Sequence, residues 1–235
     1  MGMLKDYQKK KELTYLFLDF DGVLNTASYA KLLRKEGIDH YDEFGAMFDP
    51  KTISNLKYIV GHTGCKIVLS SPWRNEGWIR MQALWKDRNL PDELFSMTPI
   101  LLSTTYKDAK SGEMLSVPER NAKALEIQAW LHKYATPPFQ YVILDDENNF
   151  FHSQQGHLVQ TDENDGLTIQ KAYEAESAIL RSGGLRAGDV RRPFARRDGV
   201  AFEVESADLG ARFLAAFHEH SAHPRRLRQR NGTFI

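Results

Sequence analysis

Tyr15-Leu-Phe-Leu-Asp-Phe-Asp-Gly-Val-Leu-Asn25 is the stretch from which the fold is read. Tyr15 to Leu18 is a short apolar run, as expected of a buried strand. Asp19, Asp21 and Gly22 follow at once, and Gly22 permits the chain to turn sharply out of the strand. The same arrangement recurs downstream. Lys66-Ile-Val-Leu69 runs into Ser70-Ser71-Pro72, and the strand Gln140 to Leu144 runs into Asp145-Asp146. Helical patterns lie between. Pro50 to His62 has Asp49 as a cap, Pro50 in its first turn, and Ile53, Leu56, Ile59 and Val60 on one face. A second helix is expected from Ser71-Pro72 to about Arg88, with Trp78, Met81, Leu84 and Trp85 on one side. A third is expected from Pro118 to Tyr134, a fourth strand over His157 to Gln160, and an amphipathic helix over Thr168 to Arg181. Alternating strands and helices predict an α/β fold: a Rossmann-like, three-layer arrangement around a parallel sheet. In such sheets ligands bind at the carboxyl ends of the strands.

Composition narrows the class. Of the 235 residues, 42% are apolar and 26% charged, as in an ordinary globular protein. No apolar run approaches the length of a membrane span, and the opening MGMLKDYQKKKEL has no apolar run of the kind an export signal carries. A single cysteine, Cys65, allows no intrachain disulfide, so a reducing, cytoplasmic setting is expected. The net charge is zero but unevenly spread: residues 181–235 hold 11 arginines and no lysine. A boundary is placed near Ser182-Gly183-Gly184, giving a core over 1–182 and an Arg-rich extension over 183–235. Its arginines, such as Arg191, Arg192, Arg225 and Arg226, suit a nucleic-acid backbone or a merely solvated terminus. A strand over Ala201 to Val204 and a helix over Ala207 to Phe217 are expected there. His218, His220 and His223 read as solvated rather than metal-binding.

The chemistry is sought at the strand ends. Four carboxylates (Asp19, Asp21, Asp145 and Asp146) and the Ser70 hydroxyl would meet at one sheet edge. Crowded carboxylates repel, and a hard cation held by oxygens relieves the conflict. Mg²⁺ fits, since one or two carboxylates plus substrate phosphate and water usually hold it.

Asp19-Phe-Asp-Gly-Val-Leu, the strand-terminal Ser70, Lys123 at a helix start and Asp145-Asp146 resemble the four motifs of the haloacid dehalogenase (HAD) superfamily. The resemblance covers about residues 13–180. Narrower features are similar to the HAD phosphatase domain of Swiss Army Knife RNA-repair proteins: Asn25 after the first motif, Val68-Leu-Ser-Ser-x-Trp-Arg74, Thr98-Pro99, Glu126-Ile-x-x-Trp-Leu131 and Gly166-Leu-Thr168. The resemblance implies a nucleophile at Asp19 and an acid–base group at Asp21. It implies phosphate contacts from Ser70 and Lys123. It implies a Mg²⁺ site from the Asp19 side chain, the Asp21 carbonyl and Asp146, with Asp145 behind. Gly22, Ser71 and Arg74 complete the expected substrate-binding set.

Other readings compete at single positions. Asp21-Gly22 between apolar runs is also a hairpin-turn signal, and the family makes a hairpin-like excursion at this point. A calcium loop is disfavoured by Val23 and Leu24 and by the lack of a suitably spaced Glu. Ser71, followed by Pro72, reads mostly as a helix cap, which leaves Ser70 the better phosphate ligand. Arg120 is an alternative to Lys123. Arg74 either contacts substrate or caps a carboxylate. Trp73, Trp78, Trp85 and Trp130 read as packing residues, and Cys65 as inert packing.

Residues 25–48 are expected to form a small lid. A small lid leaves the cleft open, which suits phosphates on macromolecules. The expected function is therefore a Mg²⁺-dependent phosphatase acting through an aspartyl-phosphate on terminal phosphates of RNA or DNA. The alternatives are a phosphatase of a small metabolite or nucleotide, and a catalytically silent nucleic-acid-binding module. No membrane partner is expected, and nothing in the sequence sets an oligomeric state.

Overall fold

The computed structural model describes residues 13–101, 105–107, 114–116 and 122–181. Five strands form one parallel sheet: β1 (Leu13–Leu18), β4 (Lys66–Leu69), β5 (Ser96–Met97), β8 (Phe139–Asp145) and β9 (Leu158–Gln160). Their order is β5-β4-β1-β8-β9, with β1 at the centre. In register, Leu18 lies beside Leu69 on one side and Leu144 on the other. The residues following these three are Asp19, Ser70 and Asp145, so they arrive level with one another at the sheet edge. The ladder continues one step past the strands. The Asp19 amide donates to the Leu144 carbonyl at 3.0 Å, and the Ser70 amide to the Leu18 carbonyl at 2.9 Å.

Alternation along β1 builds both cores. Leu16 and Leu18 enter one cluster with residues of α2 (Pro50–Thr63), α3 (Trp78–Asp87) and α6 (Ile169–Arg181). Tyr15 and Phe17 enter the other with Ile127 and Trp130 of α4 (Ala122–Tyr134). Strands covered on both faces read as continuous apolar runs, which is why β1, β4 and β8 are visible in the sequence. The result is the expected mixed α/β architecture, a central parallel sheet flanked by helices. Among the described residues no helix is long and apolar enough to cross a membrane.

Some expectations change in detail. The single helix expected over residues 71–88 is two elements: a five-residue 3-10 helix (Pro72–Glu76), then α3. Gly77, with φ at +92°, breaks it. The edge strand β5 is not anticipated from the sequence. It is two residues long, is paired to β4, and receives the Trp130 indole N–H at Ser96 Oγ (2.9 Å). The helix expected from Pro118 is described from Ala122 onward, and residues 117–121 lie outside the described residues. Between β1 and α2, residues 25–48 carry α1 (Ala27–Lys35) and a hairpin of β2 (Tyr41–Asp42) and β3 (Gly45–Ala46). An antiparallel pair of β6 (Thr105–Lys107) and β7 (Met114–Ser116) precedes α4, and the short helix α5 (His152–Gln155) follows β8. The Arg-rich segment 183–235, its expected strand and helix and its histidines lie outside the described residues, as do Arg120 and residues 1–12.

Candidate active site

Asp19 is buried at the end of the central strand, and its two oxygens are held differently. Oδ1 accepts from the Phe20 amide at 2.6 Å, and Oδ2 accepts from Lys123 Nζ at 2.5 Å. The chain then coils tightly: the amides of Val23, Leu24 and Asn25 all donate to the Phe20 carbonyl. This turn depends on Gly22, whose φ is +66°. A Cβ there would lie 2.5 Å from Asp146 Cγ and Oδ2. The glycine therefore provides the turn and also admits the Asp146 carboxylate against the backbone. Thr161 Oγ1 donates to the Gly22 carbonyl at 2.7 Å and anchors the turn from beyond β9.

Three carboxylates converge here. Asp19, Asp145 and Asp146 each offer an oxygen within 4.8 Å of the others. Lys123 Nζ bridges two of them, reaching Asp145 Oδ2 at 2.7 Å as well as Asp19. Burial works against the lysine charge, but the Asp19 and Asp145 carboxylates outweigh it and hold the ammonium above the usual lysine range. Burial pushes Asp145 up to about 7, against the pull of Lys123. Burial, reinforced by the charge of Asp19, raises Asp146 as well. Among the described residues, one ammonium faces three acids, which leaves an excess of negative charge in a mostly buried place. That is the condition a hard divalent cation relieves, and an oxygen-only donor set suits Mg²⁺.

Beside this cluster, the fully buried Ser70 hydroxyl has no hydrogen-bond partner among the described residues. A buried hydroxyl left unmatched costs free energy unless a ligand completes it. Ser71 behaves as the cap that its place before Pro72 suggests: its Oγ accepts from the Trp73 amide at 3.5 Å.

Arg74, expected either to contact substrate or to cap a carboxylate, lies in an ion pair. Its guanidinium is buried, pairs with the buried Glu126, and donates to the carbonyls of Ser70 (3.1 Å) and Ser71 (2.7 Å). The same Glu126 accepts from the Leu101 amide at 3.2 Å. Burial raises the Glu126 pKa despite its arginine partner. This is the carboxylate-capping contact, and among the described residues the buried Arg74 Nε has no partner.

Asp21 stands apart from the three-carboxylate cluster. It is exposed, and both its oxygens are engaged: Oδ1 by Asn25 Nδ2 at 2.7 Å and Oδ2 by Trp73 Nε1 at 2.9 Å. The Trp73 contact is missed by reading tryptophans as packing residues. The ring does pack, against Phe20 and Phe48, but its N–H reaches the site.

Residues 15–172 match a known family, described as the HAD domain in Swiss Army Knife RNA repair proteins. The chain belongs to this family. The HAD assignment indicates a hydrolase of the phosphatase type, and the acidic cluster is where a metal ion would sit. Comparison with curated proteins gave no match.

Proposed function

We propose that the protein is a Mg²⁺-dependent phosphatase that acts through an aspartyl-phosphate on terminal phosphates of nucleic acid. The single observation that carries the reading is the site's charge pattern. Among the described residues, three carboxylates share one ammonium beside a buried, unmatched hydroxyl. Asp19 and Asp146, with the Asp21 carbonyl, would hold the ion, and Asp145 would support Lys123 behind them. Mg²⁺ would offset the charge of a phosphate oxygen as well as that of the acids.

The chain's own groups divide the remaining work. An Asp19 oxygen forms a bond to phosphorus as the bond from phosphorus to the ester oxygen breaks. Asp21 gives its proton to that leaving oxygen, which departs as an alcohol. Water then attacks the phosphorus of the acyl phosphate and gives a proton to Asp21. The bond from phosphorus to Asp19 breaks, inorganic phosphate leaves, and both aspartates return to their starting states. Lys123 holds Asp19 in place, and the Ser70 hydroxyl donates to a phosphoryl oxygen.

The substrate class draws on the family's description and on the open approach. Asp21 is exposed, and the insertion over 25–48 is only a nine-residue helix and a hairpin of two-residue strands. A phosphate at the end of a long chain can reach such a site. With one buried cysteine and no disulfide, a reducing cytoplasm is the proposed setting.

The test is Mg²⁺-dependent phosphate release from a 3′-phosphorylated RNA oligonucleotide, its 5′-phosphorylated counterpart and an aryl phosphate. Turnover of one oligonucleotide well above the aryl phosphate, lost in Asp19→Asn, is the expected result. Turnover of the aryl phosphate alone moves the substrate to a small molecule. No release from any of them favours a nucleic-acid-binding module instead.

A further inference from the structure

An exposed aspartate ordinarily samples several rotamers, but Asp21 is gripped at both oxygens by separate N–H donors. One donor, Asn25, lies on the same turn. The other, Trp73, comes from a different strand end, 52 residues away. The Trp73 ring is itself confined. Phe20 meets it edge-on at 5.6 Å between centroids, and Phe48 lies at 5.8 Å. Gly45 of the β2–β3 hairpin lies so close that a Cβ there would be 2.8 Å from Trp73 Cη2. On the backbone side, Trp73 follows Pro72 and the Ser71 cap and precedes the buried Arg74. Every neighbour restrains the indole, and its only polar atom is spent on Asp21.

We propose that Trp73 is a positioning residue for Asp21, its indole N–H holding the carboxylate that gives up and recovers the proton. The inference rests on the phosphatase reading above. An indole nitrogen donates and cannot accept. It therefore pairs best with the oxygen on which charge develops as the proton passes to the leaving group. The hairpin of the insertion rests on the far edge of the ring, so the insertion shares in placing Asp21.

General-acid assistance matters most when the leaving oxygen is strongly basic. An alkoxide needs the proton, and a nitrophenolate scarcely does. A packing role for Trp73 would slow every substrate alike. The experiment measures kcat/KM for glycerol phosphate, phenyl phosphate and 4-nitrophenyl phosphate. The proteins are the native chain, Trp73→Phe, Asp21→Asn and the double variant. Asp21→Asn should lose most on glycerol phosphate and least on 4-nitrophenyl phosphate. Trp73→Phe should follow the same order, with a loss of about tenfold on the alkyl ester and under about twofold on the nitrophenyl ester. The double variant should be no worse than Asp21→Asn, because the two residues act as one unit. If Trp73→Phe does not fold, benzothienylalanine at position 73 keeps the ring's shape without the N–H and takes its place. Equal losses on all three esters, or additive losses in the double variant, would overturn the role of Trp73. A flat Asp21→Asn series would instead remove the acid–base reading on which it rests.

Discussion

Two charged groups stand side by side at the carboxyl end of the sheet, and they are built on opposite plans. Arg74 and Glu126 are one cation and one anion, both buried, with backbone groups as further partners, although Arg74 Nε has none among the described residues. Among the described residues, Asp19, Asp145 and Asp146 face Lys123 alone. The two meet at Ser70, whose carbonyl accepts from Arg74 and whose hydroxyl is left unmatched. The first group balances its charge within itself. The second is incomplete: it needs a cation and an anionic ligand before its charges are balanced and the Ser70 hydroxyl is matched. The difference teaches where function lies: burial of charge is common to both, and unbalanced charge belongs to one.

The largest effect on stability should come from the charge-balanced pair. Arg74→Ala strands Glu126 in the interior, and breaking a buried pair by removing one partner costs about 3–5 kcal/mol. Thermal unfolding should register it as a fall in Tm of roughly 10 °C. A folded Arg74→Ala variant with native stability and lost phosphate binding would reverse the comparison.

Gly22→Ala probes the incomplete group from its backbone. The added Cβ meets the Asp146 carboxylate and sits at a positive φ. Mg²⁺ affinity, read by calorimetric titration, should fall by about 10- to 100-fold as the ligand is pushed aside. An unchanged affinity would remove Asp146 from the metal site.

Ser70→Ala sharpens the contrast most finely. Removing a buried hydroxyl with no partner should leave Tm unchanged or slightly higher. Inhibition by inorganic phosphate should nonetheless weaken, by about tenfold for one lost hydrogen bond to a charged group. A clear fall in Tm with phosphate binding intact would make Ser70 a structural residue.

Much of this was legible in the sequence. β1, β4 and β8 are apolar runs because both faces of the sheet are covered, and the residues that follow them are the polar ones that converge. β5 was not legible, since two residues carry no periodicity and its place is set by pairing with β4 and by Trp130. The helix expected over 71–88 concealed a break, because a glycine inside an apolar pattern weakens a helix without announcing that it ends there. Arg74 could be read two ways because its partner lies 52 residues downstream. Trp73 was legible only in part. Its ring packs against the core and its N–H reaches the site, and the sequence carries one letter for both.

The central claim is that Asp19 is the group that takes the phosphoryl unit. The direct measurement is acid quench of the Mg²⁺-loaded protein during turnover of 4-nitrophenyl phosphate. Borohydride reduction and peptide mass mapping would follow. An acyl phosphate at Asp19 should appear as homoserine at position 19 and be absent without Mg²⁺. Phosphate release with no modification at Asp19, or with the modification at Asp21 or Asp145, would contradict the account.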